Sequence, residues 1–569
     1  MTKWVVTSAW PYSSDVPHLG NLIGSVLSAD VFARFQRLTG NLIIFVSGSD
    51  EHGTPVEVEA LKQGIPVAQL ANENHERISS LFRKWNISYD NYTRTESPVH
   101  HEYVRELYMQ IYNNDRLIFS QTELIHFCPK DLRFLPDRFV EGVCPNCGYP
   151  NARGDQCDNC GRPLDAEKLG EAYCVICRSR TILKETKQWF FDLPKLSDYI
   201  SDYLSRAELS PNVIRFSRGW IKDGLRPRSI TRDSKWGIKA PFPGAEEKTI
   251  YVWMDAVLGY VSAVIEYFRN QGSPEEWKSY WFDNQAKTSF FIGKDNIPFH
   301  AIILPALLHA SGKPYDEPNL ISSTEFLLFE GQKFSKSRKV GIWIDEALEI
   351  LPVDYWRFAL ISLRPEGGDV NFGWDSLEEK INNDLNDTIG NFVNRSLVGV
   401  QRFANNSFAT KKHDISEEYK SLVDDALQRH SEIKNLYESV DLQSSCRNIV
   451  IQASEANKFL SLTEPWKIVK TDRRKALEIL YVALSTLKLL AIELCPIIPD
   501  TSLLIANQAG MFKESYGQPS WEGTSIEDDL PLETKQVKPI FSKVSAVSLR
   551  EKLDAIRATK EKSNANGSG

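Results

Sequence analysis

The sequence predicts an α/β protein: a parallel-sheet domain that carries a metal-stapled insertion and is followed by an α-helical bundle. Three observations predict it. Strand-length apolar runs at residues 4–9 and Leu42 to Val46 flank a helix pattern from Leu22 to Leu38, the βαβ pattern of a parallel sheet. From about 120 to 190 long helical patterns are absent and Cys, Gly, Pro and Asp are dense. From about Leu377 onward the chain turns to long amphipathic helices with almost no strand signal.

Each element follows from local chemistry. The first run breaks at Pro11, and Tyr12 to Pro17 is rich in turn formers. Leu22, Val26, Ala29, Ala33 and Arg37 keep near-helical spacing, and Gly40-Asn41 stops the helix. The second run ends at Ser47-Gly48-Ser49-Asp50. Ligands of parallel sheets sit at the carboxyl ends of strands, where His18, Gly20 and Asp50 fall. Further α/β elements are expected at Thr249 to Trp253, Ser289 to Ile292 and a helix from about Pro298 to His309. The stretch from about Ser545 is charged and reads as a helix and then a frayed tail.

Composition bounds the function. The 569 residues are 42% hydrophobic and 25% charged, enough for about three or four domains. A net charge of −8 argues against a general polyanion binder, which would be basic, and leaves open a grip on one structured RNA. Met1-Thr2-Lys3 runs straight into Trp4-Val5-Val6 without an h-region. No apolar run approaches the ~20 residues of a membrane span. The expectation is a cytoplasmic protein with no membrane contact.

Seven of the nine cysteines lie between Cys128 and Cys177, mostly in C-x-x-C pairs, which in a reducing compartment means metal rather than disulfides. Cys144, Cys147, Cys157 and Cys160 supply four sulfurs on two tight turns, the closed tetrahedral set of a structural Zn2+. Cys128, Asp131, Cys174 and Cys177 form a second candidate set, less common because a carboxylate replaces one thiolate. Closed sets leave no open position, so the metals would be structural.

Two short polar segments carry the chemistry. In His18-Leu19-Gly20-Asn21 the helix start directs free N–H groups at the loop, which favours anions. In Lys333-Phe334-Ser335-Lys336-Ser337, glycines and serines around two lysines suit a mobile loop that closes over phosphates. No G-x-x-x-x-G-K-[ST] loop is present, so an ordinary P-loop NTPase is not supported. Together the segments would hold a nucleoside triphosphate from two sides.

These segments resemble the HIGH and KMSKS motifs of class I aminoacyl-tRNA synthetases. Further runs are similar to the methionyl-tRNA synthetase family: Ala9-Trp10-Pro11-Tyr12, Gly48-Ser49-Asp50-Glu51-His52-Gly53-Thr54, Asp137-Arg138-Phe139-Val140-Glu141-Gly142, Thr231-Arg232-Asp233, Tyr251-Val252-Trp253-Met254-Asp255-Ala256 and Phe291-Ile292-Gly293-Lys294-Asp295. The doubled knuckles and Pro365-Glu366-Gly367 resemble the archaeal and eukaryotic branch. Asn21 stands where the generic motif has histidine and Phe334 where it has methionine.

The resemblance implies activation of L-methionine by ATP, with Mg2+, to methionyl-adenylate, then transfer to the 3′ end of tRNA(Met). It implies Asp50 on the substrate ammonium and a side-chain pocket from Ala9, Trp10, Tyr12, Trp253, Ala256, Tyr260, Phe299 and His300. Gly20, Asn21, Gly293 and Asp295 would contact ATP, and Arg232 the carboxylate or the loop. His18, Asn21, Lys333 and Lys336 would act at the reacting phosphates, Asn21 by hydrogen bonding only. Asn391, Arg395 and Trp466 would read the anticodon, with Asp387 at a position where amides are common; other translation factors are candidate partners. The implied organisation is a Rossmann-type catalytic domain at 1–117 and 246–322, a zinc-knuckle insertion at 118–245, a stem-contact region at 323–376, a helical anticodon domain at 377–540 and a charged flexible tail at 541–569. The competing readings are a related synthetase, an adenylating paralogue without tRNA charging, and a non-catalytic zinc-knuckle RNA-binding protein. The last of these predicts a basic charge and lost lysines at 333 and 336.

Overall fold

A computed structural model of the protein describes residues 1–566, except 115–116, 136–138, 155–156, 158, 161, 163, 165, 283–285, 337 and 512–518. Asp137, Arg138 and Ser337 of the motifs above therefore lie outside the described residues.

The chain is organised around a six-stranded sheet in which every pairing is parallel: β1 Lys3–Ser8, β2 Leu42–Ser49, β3 Asn91–Arg94, β4 Glu208–Leu209, β5 Lys287–Gly293 and β6 Leu320–Thr324, in the order β4-β6-β5-β1-β2-β3. From β1 the chain steps to β2 on one side, and β5 later fills the other. The order reverses between β1 and β5, which opens a crevice at their carboxyl ends. β2 outruns its expected end at Val46, because Ser47 to Ser49 continue to pair with β3. The helix between β1 and β2 starts at Leu19 rather than Leu22. It takes a short α turn, a π turn at Leu22–Val26, and then α1, Leu27–Leu38. Phe32 of α1 packs on Trp4 and Phe291, each with ring centroids 5.4 Å apart, which pins the helix to the sheet.

The insertion is an antiparallel arm. Ile118–Cys128 pairs with Ile182–Phe191, and the cysteines gather beyond its far end around a small core of their own. The expected insertion boundary of 245 is too late. By residues 208–209 the chain is already back as β4 on the edge of the main sheet, followed by α2, Pro211–Lys222. Alternation in so short an edge strand gives no readable period. Thr249–Ile250 pairs antiparallel with Thr231–Arg232, outside the main sheet, and Val252–Ala256 is helical. Ser289 to Ile292 lies in β5 as expected. The expected helix at 298–309 is a π turn, Phe299–Ile303, continued by Leu304–Ala310.

Beyond β6, α3 (Ile344–Ile350) and the helix Val353–Ser362 lead into the bundle. Its axis is Arg473–Leu494, buried at every residue from Glu478 to Leu494, with its buried charges Lys488 and Glu493 paired to Asp529 and His430. Arg357, fully buried, ties the bundle to the sheet domain. It donates to Asp30 Oδ2 of α1 at 2.6 Å and to the carbonyls of Ile497 and Pro496 at 2.7 and 3.1 Å. The helix expected from about Ser545 is present. It forms α4, Ala546–Asn566, whose Leu549 and Leu553 are buried, and it packs on α3 and on the helix Trp374–Glu379. Among the described residues no helix is long and apolar enough to cross a membrane.

Candidate active site

The two polar segments meet in space. The His18 ring stacks on Phe334 with centroids 4.4 Å apart and planes 11° from parallel. A β-carbon on Gly20 would lie 3.0 Å from the His18 ring and 3.3 Å from Phe334, so a larger residue there would crowd the stack. His18 and Asn21 cap the helix reciprocally. His18 Nδ1 accepts from the Asn21 N–H and Asn21 Oδ1 accepts from the His18 N–H, both at 3.2 Å. With Nδ1 an acceptor, the proton sits on Nε2, the nitrogen left to donate. Burial pushes the His18 pKa down to about 4, so the ring is a neutral donor at pH 7. Asn21 holds the histidine by hydrogen bonding.

Backbone reinforces this contact. Leu19 N–H donates to Ile342 at 3.0 Å and Ile344 N–H to Pro17 at 3.1 Å, so the strand leaving the lysine loop runs antiparallel to the His18 segment. Lys336, mostly exposed, pairs with Asp15, and Lys333 Nζ lies 4.8 Å from the Phe326 ring centroid. In this state both lysines rest on the protein itself. Arg557 of α4 braces the loop's exit. It donates to both Glu346 carboxylate oxygens, at 2.8 and 2.9 Å, and to the carbonyl of Gly341 at 2.7 Å. Glu346 in turn accepts from the Trp343 N–H at 3.0 Å.

Asp50 lies at the end of β2, held by a parallel bridge to Tyr12. It is buried, and among the described residues its Oδ1 has no hydrogen-bond partner. Burial, and then the neighbouring Asp255 carboxylate, push its carboxyl well above the usual range, with His52 opposing them. An unsatisfied buried carboxylate is a site for a cation, and a ligand ammonium would both satisfy and ionise it. Beside it Trp253 and Phe299 stack at 4.4 Å, and Tyr12 meets Trp253 edge-on at 5.8 Å. His300 Nδ1 donates to the Asn296 carbonyl at 2.9 Å, so its Nε2 accepts from the Tyr260 hydroxyl at 2.7 Å. Burial keeps His300 neutral, with a pKa pushed down to about 4. Trp10 fits only because Gly48 and Gly259 flank it: a β-carbon on either would come within 2.8 Å of its ring. The walls are aromatic with one fixed polar corner, suited to a polarisable apolar side chain.

Ala9 donates its N–H to Phe291 at 2.9 Å, joining the pocket to β5, and Ala256 is buried beside Trp253 in sequence. Gly293 ends β5, and Asp295 follows in a short helical turn; burial raises its carboxyl pKa. Arg232, expected near the substrate carboxylate or the loop, stacks on a neighbouring ring. Its guanidinium lies 3.7 Å from the Tyr251 ring centroid, on the pair of short strands below the insertion arm.

Sequence reasoning quoted His52, Asp255 and Glu96 at most as motif letters or not at all. His52 is fully buried, with Nδ1 2.8 Å from Asp255 Oδ2 and Nε2 2.6 Å from Glu96 Oε1. Burial alone would lower its pKa; the two carboxylates outweigh burial and hold it up at about 10. A buried imidazolium therefore sits behind Asp50. The signal was the clustering of charge in Asp50-Glu51-His52, whose partner Glu96 is distant in sequence.

The family model for tRNA synthetases class I (M) matches residues 4–397, and that for the anticodon binding domain of methionyl tRNA ligase matches 410–546. The chain belongs to the class I tRNA synthetase (M) family. Curated relatives named methionine--tRNA ligase include those of Thermofilum pendens, 49% identical over 564 residues and 98% of each chain, and Sulfolobus acidocaldarius, 47% identical over 98% of this chain and 99% of the relative. A solved Mycobacterium tuberculosis methionyl-tRNA synthetase in complex with methionyl-adenylate shares the fold at a TM-score of 0.78, with 24% identity over 95% of this chain and 100% of the other.

This synthetase gathers both cysteine sets. Within each, the ligand atoms lie within 4.8 Å of one another. In the first set Cys144–Cys160 and Cys147–Cys157 sulfurs are 4.0 and 3.7 Å apart. A tetrahedral metal with ~2.3 Å bonds to sulfur needs edges of about 3.8 Å, so the donors fit a zinc-sized ion. In the second, Asp131 Oδ2 lies 3.3 Å from Cys128 Sγ and 3.1 Å from Cys174 Sγ, and Cys177 Sγ lies 3.4 Å from Cys128 Sγ. In the synthetase's bundle, Asn391 is exposed and Arg395 follows one turn later, its guanidinium 5.2 Å from the half-exposed Trp466 ring centroid. Asp387 pairs with Lys543 at 2.7 Å.

Proposed function

We propose that this synthetase activates L-methionine with ATP and transfers it to tRNA(Met). The observation that carries the reading is the unpartnered Asp50 oxygen beside the aromatic walls of Tyr12, Trp253 and Phe299. Asp50 takes the ammonium and the walls take the thioether. The substrate carboxylate oxygen attacks the α-phosphorus of ATP, and the bond to pyrophosphate breaks. The His18 Nε2 donor stabilises the charge that develops there, with Gly20, Asn21, Gly293 and Asp295 lining the nucleotide side. Lys333 and Lys336 must leave Phe326 and Asp15 to reach the leaving pyrophosphate, so loop closure exchanges protein contacts for phosphate contacts. The terminal ribose hydroxyl of tRNA then attacks the carbonyl carbon and AMP leaves. Mg2+ accompanies ATP as substrate and supplies charge neutralisation at its phosphates.

The two knuckle sets would hold Zn2+ for folding. Arg395 and Trp466, with Asn391, offer an amide, a guanidinium and a ring face to unstacked anticodon bases. A cytoplasmic location and contact with other translation factors belong to the same proposal. The test is ATP–pyrophosphate exchange across a panel of amino acids. Methionine should drive exchange above all others; exchange driven by leucine or valine and not by methionine would sink the reading.

A further inference from the structure

The chain that follows Asp50 is a turn that belongs to neither strand nor helix. β2 ends at Ser49, and the next helix, Thr54–Gln63, starts after Gly53, whose φ is 89°. On one side the main chain of Asp50 is tied to the Tyr12 segment. Its N–H donates to the Pro11 carbonyl and its carbonyl accepts from the Ser13 N–H, both at 2.8 Å. On the other side the turn is held through Glu51.

Glu51 is gripped by both its main chain and its side chain. Its N–H donates to Thr95 Oγ1 at 3.0 Å, and its carbonyl accepts from Trp236 Nε1 at 2.6 Å. Arg94 Nε donates to Glu51 Oε2 at 2.8 Å, and Arg94 Nη2 lies 2.8 Å from Oε1. The Glu96 N–H adds a contact to Oε2 at 3.3 Å. The Glu51 side chain is fully buried, while that of Arg94 is 23% exposed. A guanidinium fork on a buried carboxylate fixes its direction as well as its place.

The grip comes from two elements far apart in sequence. Arg94 ends β3, and the Thr95 N–H donates to the Ser49 carbonyl at 3.1 Å, so this half belongs to the main sheet. Trp236 comes from the loop between Thr231–Arg232 and Thr249–Ile250, the pair of short strands below the insertion arm. The Trp236 ring meets the His52 ring edge-on at 5.9 Å. Ser234, two residues earlier, donates to Glu57 of the Thr54–Gln63 helix at 3.0 Å. A binding group works only when its supporting contacts hold it to a fraction of an ångström, and a shift of ~1 Å can cost about a hundredfold.

We propose that Arg94 and Trp236 are positioning residues for the amino-acid substrate, acting through Glu51 to aim the Asp50 carboxylate at the substrate ammonium. This rests on the methionine-activation reading above and deepens it. Arg94 sets the turn from the sheet and Trp236 sets it from the strand pair, so the segment that carries Arg232 contributes to the methionine site from behind Asp50.

The test is methionine-dependent ATP–pyrophosphate exchange by the full-length protein at varied methionine and ATP. Trp236→Phe keeps a ring and removes one donor, so the methionine KM should rise about threefold to tenfold, the span of one lost hydrogen bond. The kcat and the ATP KM should stay within about twofold. Arg94→Gln should raise the methionine KM by about tenfold or more, and Arg94→Lys should recover part of that, since it returns the charge without the fork. Arg94→Gln breaks a buried ion pair and risks unfolding the turn, so Trp236→Phe carries the decision. A cycle with Asp50→Asn separates aiming from general support of the fold. In the Asp50→Asn background Trp236→Phe should change the methionine KM by less than about twofold, because no charged carboxylate is left to aim. An unchanged methionine KM in Trp236→Phe, or the same fold rise with and without the Asp50 carboxylate, overturns the positioning role. Exchange by wild type on another amino acid and not on methionine overturns the functional reading instead. The same cycle run with that amino acid then still decides the positioning role, because every α-amino acid presents an ammonium.

Discussion

His52→Gln should reveal how the pocket keeps Asp50 usable. Both ring nitrogens contact carboxylates, at 2.6 and 2.8 Å, and the ring is fully buried. Removing one partner of a buried charge pair costs ~3–5 kcal/mol. Asp255 is fully buried, but the Glu96 side chain is 28% exposed and can regain water. The lower end, about 3 kcal/mol, is therefore expected at pH 7. The His52 pKa is raised from 6.5 to about 10. Its contribution is fully present below pH 6.5 and is lost as pH rises through 10. Urea unfolding of wild type and variant should thus differ most near pH 6.5 and converge toward pH 10. Asp50 also loses the cation that favours its charged form, so the KM for methionine in exchange should rise about tenfold, a cost of ~1.4 kcal/mol. A variant within about 1 kcal/mol of wild type at pH 7 would refute the reasoning, since removing a partner from a true buried pair costs more. So would a stability difference that stays flat from pH 6 to 10.

Three further outcomes follow from the geometry. Asp50→Asn keeps the volume and removes the charge, so the methionine KM should rise by roughly tenfold to a hundredfold, the range for a charge-assisted hydrogen bond, while the ATP KM changes little; exchange kinetics at varied methionine and ATP measure both. Arg557→Ala releases Glu346 and Gly341, so tryptic cleavage after Lys336 or Lys339 should quicken and exchange kcat should fall about tenfold, the range of one lost charge-assisted contact. Arg557→Lys should recover part of this, although a point charge cannot reproduce the fork. Cys144→Ser should lower bound zinc by one ion per chain in elemental analysis and speed proteolysis of the arm, because such a site contributes folding energy directly.

Much of the site was legible because its parts are local. The His18 cap needs only the four residues His18 to Asn21, and a helix start determines what they do. The cysteine pairs declare themselves by spacing, and both proposed sets gather in space. Asp50 follows an apolar run, so its place at a strand end could be read. What could not be read was long-range. The His52–Glu96 contact and the bracing of the loop by Arg557 join residues with no shared periodicity. Nor could pattern separate a short edge strand from a loop, so the return of residues 208–209 to the main sheet was assigned to the insertion.

The sequence by itself determined the ligand types: imidazole and amide at a helix start, two lysines in a glycine-flanked loop, a carboxylate after a strand, and sulfurs in pairs. Those depend on residue identity and on neighbours within a turn or two. Tertiary structure decided their states. Burial makes His18 a neutral donor, leaves Asp50 short of a partner, and makes His52 a cation. Packing also docks the expected C-terminal helix as α4, because Leu549 and Leu553 find apolar surface that only the folded chain presents. Charge state and helix docking depend on how much water is excluded and by what, and the fold alone sets that.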